Sequence, residues 1–212
     1  VPLQDGKRAA KVLEEAMSSG FKGVMIGTQP KGRWGNLDDP DLDPFWGIAT
    51  DINATVYIHP MFGCGDTRLK DYALMNAVGR GTDTTTAVAR LLFAGHFLKY
   101  KGLKCVISHG GGALPFILGR LGRNHAIHPN QYADPIRSFK KLYFDSVLFE
   151  AGALNFLCSC CGHDHVLLGS DYPFPIGDME PVKIIEKANL KEYQKRMILG
   201  ETAAKLFGII KP

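Results

Sequence analysis

The stretch Val56-Tyr57-Ile58-His59-Pro60 runs an apolar, β-branched segment into a single histidine and stops it with proline. Two further stretches repeat the plan. Val106-Ile107-Ser108-His109 is halted by Gly110-Gly111-Gly112, and Leu167-Leu168-Gly169-Ser170-Asp171 is followed by Tyr172-Pro173-Phe174-Pro175. Each reads as a buried strand that delivers one ligand-capable side chain at its C-terminal end. In parallel α/β proteins that edge carries the chemistry. A lone histidine of this kind is ordinarily a hydrogen-bonded core or turn residue, but three strand ends of one design point to a shared metal or acid/base site. Two imidazoles and a carboxylate form an N/O donor set suited to zinc, manganese or iron, with positions left open for water and substrate.

Outward from these runs, helical and strand patterns alternate. Ala9, Ala10, Val12, Leu13 and Ala16 recur at helical spacing over residues 4–19, with Gly20 as the stop, and a strand follows at Gly23–Gly27. Residues 28–44 form a long loop rich in Gly, Pro, Asn and Asp at a strand's C-terminal end, a functional position, and this loop, which contains Trp34, would overhang the site. Both Trp34 and Trp46 read first as packing residues. A short helix over 45–53 leads into the strand Thr55–His59, and an irregular loop precedes a helix over 84–100. Strands at 104–108, 141–145 and 165–169 then alternate with helices at 114–121 and 148–161, and helices at 180–188, 191–199 and 201–207 finish the chain. This order predicts parallel α/β architecture of the (β/α)8 barrel type, in one domain over residues 1–212, with five strands visible where a closed barrel needs about eight.

The composition of the 212 residues, 45% hydrophobic, supports a sizeable core. The excess of 25 Lys+Arg over 21 Asp+Glu leaves a net charge of +4, and the basic residues are scattered, so a nucleic-acid partner is not implied. No apolar run reaches membrane-spanning length and Val1-Pro2-Leu3-Gln4-Asp5 has no signal-type leader, while five cysteines, an odd number, argue for reduced thiols in a cytoplasmic setting. Cys158 and Cys161 have CxxC spacing near His163 and His165 but lack a second well-spaced pair, so they read as core and helix-end thiols. Cys64 and Cys105 default to buried small residues. His96 reads as a helical packing or surface residue, and His125 and His128 as members of a polar loop open to subunit or substrate contact.

Read together, Ser108-His109-Gly110-Gly111-Gly112-Ala113-Leu114-Pro115-Phe116 with Gly119-Arg120, and Leu168 to Gly177 with Glu180-Pro181, resemble the amidohydrolase-related decarboxylases of the amidohydrolase 2 family. The resemblance implies a metal-dependent carboxy-lyase, acting on an unsaturated or aromatic carboxylic acid. It implies His59 and Asp171 as metal ligands on the fifth and eighth barrel strands, and His109 as the sixth-strand acid/base beside the metal, zinc in the first instance and manganese as the alternative. Asp171 would both ligate and exchange a proton. Arg120 matches an arginine that grips the substrate carboxylate from the neighbouring subunit of a homodimer. It further implies a first-strand His-x-His pair that this sequence does not contain, so that the chain would begin after the third strand and hold metal weakly. Met61 stands where close members carry tryptophan. Hydrolysis of a lactone or amide by the same groups, or a truncated non-catalytic paralogue, are the alternative readings.

Overall fold

The computed structural model describes residues 1–32 and 35–209. Trp34, in the loop expected to overhang the site, lies outside the described residues. Five strands form one parallel sheet in sequential order: β1 (Gly23–Gly27), β2 (Thr55–His59), β3 (Lys104–Ile107), β4 (Tyr143–Asp145) and β5 (Val166–Leu167). The register pairs Gly27 with His59, Ile58 with Ile107, Ile107 with Phe144, and Asp145 with Leu167. Helices intervene between successive strands, as parallel pairing requires. They are α1 (Gly6–Ser18), α2 (Asp43–Asp51), α3 (Arg80–Phe93), α4 (His96–Lys99), α5 (Leu114–Ile127), α6 (Pro135–Phe139) and α7 (Ala151–Cys161). Three short helices, α8 (Pro181–Lys187), α9 (Glu192–Arg196) and α10 (Thr202–Leu206), follow the last strand.

Period-two alternation splits the strand residues between two environments. Val56, Ile58, Cys105, Ile107, Phe144 and Val166 join the main core with Leu13, Phe45, Trp46, Val88 and Leu92 from the helices. On the opposite face Val106 and Leu167 form a smaller cluster with Leu206, against which Tyr57, Tyr143 and Phe207 pack, so α10 closes over the inner side of the sheet. Trp46 is fully buried and its Nε1 donates to Leu37 O at 2.9 Å, a packing role as expected.

Several expected boundaries shift, most of all in the helices after the second and third strands. The helix expected over 84–100 breaks at Gly95, whose φ of 72° places it in the left-handed region, and the preceding irregular loop contains a π-helical turn at Met75–Gly79 that carries α3 back to Arg80. The helix after the glycine triplet does not end at Leu121 but continues through Gly122 to Ile127. A Cβ at Gly122 would lie 2.8 Å from the tip of Ile136, so α6 packs close against α5 here. His125 therefore sits in the last turn of α5, with Nδ1 2.8 Å from Tyr132 O, and not in a polar loop; His128 is the residue that ends the helix.

His96 is buried between Trp46 and Tyr100, at ring separations of 5.9 and 5.6 Å, and neither ring nitrogen has a hydrogen-bond partner among the described residues. Burial holds its pKa below the ordinary histidine value, opposed by Asp38 and Asp43. Below about pH 6.5 the unfolded chain takes up a proton that the folded chain refuses. Stability is therefore full above that pH and falls as pH drops below it. His96→Phe should flatten the dependence and not lower stability at pH 8; urea midpoints at pH 8 and 5.5 measure both, and an unchanged slope would count against this assignment.

Candidate metal centre

His59 is the last residue of β2, His109 follows β3 by two positions, and Asp171 follows β5 by four. All three side chains converge beyond the C-terminal ends of the strands, and one ligand atom from each lies within 4.8 Å of the others. His59 Nε2 is 3.2 Å from Asp171 Oδ1, and His109 Nε2 is 3.5 Å from Asp171 Oδ2. The two imidazoles meet edge to face at 5.0 Å, and Phe174 stacks on His59 at 6.0 Å with 12° between the rings. Burial lowers the His59 pKa, opposed by its bond to Asp171 and lowered further by His109, which favours the neutral imidazole a ligand must be.

The backbone explains how short turns aim these groups. His109 and Asp171 both adopt positive φ, 53° and 58°, a conformation that costs roughly 1–3 kcal/mol for a residue with a Cβ and that concentrates at functional sites. The glycine triplet continues the turn with φ of 59°, 83° and 61°. Gly112 has a second reason to be glycine: an added Cβ would sit 2.4 Å from Gly81 O on α3, whose Thr85 Oγ1 accepts from Ala113 N at 2.9 Å.

Asp145, which the sequence reading placed at the end of the fourth strand without a role, ties the site together. Its buried Oδ1 accepts from Gly110 N at 3.0 Å and Val147 N at 3.1 Å, and its Oδ2 accepts from Tyr57 Oη at 2.5 Å. Burial, then the neighbouring Asp145 charge, pushes the Tyr57 pKa well up, so the phenol remains a donor. One carboxylate thus joins β2, the turn bearing His109, and β4. Asp145→Ala strands two backbone N–H groups and a phenol, and should cost about 3 kcal/mol or more, against about 1 kcal/mol for Tyr57→Phe; urea unfolding of both variants measures the difference, and equal losses would refute it.

A cavity of about 200 Å³ opens over His109 and Asp171, walled by Val147, Phe149 and Ile176, by Gly112 of the turn after His109 and, from the α3 side, by Asn76 and Arg80. Arg120 does not line it; it is exposed on α5. The cysteine run makes other contacts: Cys161 Sγ donates to Leu157 O, His165 Nδ1 lies 2.8 Å from Leu142 O, and Gln194 Nε2 donates to His163 Nδ1. All five cysteines are free thiols. Among the described residues no helix is long and apolar enough to cross a membrane.

Sequential parallel strands with an N/N/O donor cluster at their C-terminal edge define a partial (β/α) barrel of the metal-dependent type. The chain belongs to the amidohydrolase family, whose profile matches residues 1–209. It is 33% identical, over 99% of its length, to the 2-amino-3-carboxymuconate-6-semialdehyde decarboxylase of Dictyostelium discoideum, and covers 60% of that relative. The crystal structure of 5-carboxyvanillate decarboxylase from Sphingomonas paucimobilis superposes with a TM-score of 0.86 at 28% identity, over 98% of this chain and 64% of that one. A dihydroxybenzoic acid decarboxylase from Polaromonas, solved with manganese and 2-nitroresorcinol, shares the fold with a TM-score of 0.88 at 24% identity, over 99% of this chain and 68% of that one.

Proposed function

We propose that this chain carries the acid/base and metal-binding edge of a metal-dependent decarboxylase acting on a small unsaturated or aromatic carboxylic acid, within a single (β/α)-barrel domain. The observation that carries the reading is the convergence of His59, His109 and Asp171 within 4.8 Å at one strand edge. The decarboxylases of similar sequence and structure support it.

The donor set fits a divalent ion. His59 and Asp171 are the proposed ligands, two groups already in contact and almost buried, with side-chain exposures of 9% and 11%. His109, at 22%, faces the cavity and is the proposed proton carrier, within 3.5 Å of the carboxylate that can take or return a proton. A bound Zn²⁺ or Mn²⁺ would supply Lewis acidity and fix the orientation of a carboxylate substrate. The protein's own residues do the rest: Asp145 fixes the turn that holds His109, Phe174 fixes the plane of His59, and Val147, Phe149 and Ile176 exclude water from the skeleton of the acid. Zinc is the proposed resident ion, with manganese the alternative by analogy with the Polaromonas enzyme.

Release of labelled carbon dioxide from a candidate carboxylic acid, compared with acid production from a lactone or amide, tests decarboxylation against hydrolysis. With two proposed ligands from this chain, metal should be held weakly and be lost on dialysis against a chelator; stoichiometric metal surviving that treatment would show the donor set to be stronger than proposed, or His109 to be a ligand. Arg120 is proposed to contact substrate across a homodimer, beside the exposed Phe116, whose ring meets that of Phe156 at 6.4 Å. The five free thiols support a reducing, cytoplasmic setting.

A further inference from the structure

We propose that Arg80, with Asn76 beside it, forms an anion subsite in the cavity of this same chain and selects substrates that carry a second acidic group; this rests on the decarboxylase reading above. Arg80 is the first residue of α3 and Asn76 lies four positions earlier, in the π-helical turn that feeds the helix. Both line the cavity that His109 and Asp171 also line. Arg80 is the one lysine or arginine among the described lining residues. It is half-buried, and no hydrogen bond or ion pair engages its guanidinium among the described residues.

Its neighbours are already committed. Asp83, the acid one turn along α3, is buried and accepts from Thr28 Oγ1 at 2.5 Å and Gln29 Nε2 at 2.9 Å. Asp171 is in contact with both histidines. A guanidinium is obligatorily charged and offers a planar fork of donors matched to a carboxylate, so an unpaired one on a cavity wall is an anion receptor. The carboxylate that leaves belongs at the His109 and Asp171 end. A second acid group on the same skeleton is then the feature Arg80 can read, with the Asn76 amide as an additional donor. Between the two polar ends the walls are apolar, Val147, Phe149 and Ile176, as an unsaturated skeleton requires. At about 200 Å³ the cavity is smaller than the roughly 300–1,000 Å³ of drug-sized sites, and so suits one ring or a short conjugated chain.

The placement of α3 is built for this. Gly81 O and Thr85 Oγ1 abut the turn that follows His109, so the helix bearing Arg80 is locked to the turn bearing the proton carrier.

Calorimetric titration of isophthalate and of benzoate, into metal-free and Mn²⁺-loaded protein, tests the subsite in wild type, Arg80→Met and Arg80→Lys. Wild type should bind isophthalate about tenfold tighter than benzoate, the size of one charge-assisted contact. Arg80→Met should bind the two equally with benzoate affinity unchanged, and Arg80→Lys should keep part of the preference. Equal affinities in wild type, a preference that survives Arg80→Met, or no binding of either acid overturns the subsite. Mn²⁺ binding without an Arg80-dependent preference sinks the subsite and leaves the decarboxylase reading standing; an Arg80-dependent preference in protein that binds no divalent metal does the reverse.

Discussion

In a full-length parent with the proposed decarboxylase activity, Asp171→Ala should abolish carbon dioxide release and metal binding together, whereas His109→Ala should lower turnover about 10²–10⁴-fold, the range for loss of a general acid/base, while most metal stays bound. The split follows from where the side chains sit. Asp171 touches both histidines, through Oδ1 at 3.2 Å and Oδ2 at 3.5 Å, so its removal unbuilds the donor set. His59 lies beneath, held by the β1 and β2 pairing and by Phe174, and does not line the cavity. His109 does line it, on a turn pinned by Asp145 and by the approach of Gly112 to α3. Metal content after gel filtration, read beside the rate of carbon dioxide release, separates the roles. Equal metal loss in both variants would make His109 a ligand and end the division of labour.

The three strand ends were legible because two physical demands coincide in them. A strand buried on both faces must be apolar, and a ligand at its end must be polar, so the boundary is written as one abrupt change of residue type in Val56-Tyr57-Ile58-His59. Asp145 carries the same signature after Leu142-Tyr143-Phe144, and its role was missed because its hydrogen bonds from Tyr57 on β2 and from Gly110 in the turn after β3 are long-range facts that local pattern does not encode. Arg80 was invisible for a different reason: in Gly79-Arg80-Gly81 it looks like a loop arginine, and only the π-helical turn and the close approach of Gly81 to Gly112 bring it to the cavity. α5 runs past the expected end at Leu121 to Ile127, where α6 packs close to it at Gly122, a tertiary contact that local pattern does not encode. The parallel order of the strands followed from the alternation of periods alone.

In the proposed homodimer of the full-length enzyme, Arg120→Ala should reduce turnover about 100-fold, by loss of the proposed fork-on-carboxylate contact, and should do so in trans. The side chain is exposed on α5, outside the lining of its own chain's cavity, so a role in substrate binding requires a neighbouring subunit to present it. One turn earlier on α5, Phe116 is 83% exposed and its ring tilts 60° to that of Phe156 on α7, which gives an apolar patch beside the arginine on which a second copy can close. Two-fold symmetry of the proposed dimer would deliver each arginine reciprocally to the partner's site. Mixing Arg120→Ala with His109→Ala chains distinguishes the arrangements. Random exchange makes about half of the dimers hybrid, and each hybrid holds one site with both defects and one with none, so roughly a quarter of the wild-type rate should return. If Arg120 acts within its own chain, every site in the mixture keeps one defect and no rate returns. Phe116→Asp, which puts an unpaired charge into the patch, should shift sedimentation toward monomer and lower turnover as Arg120→Ala does; a fully active monomer would place Arg120 outside the site.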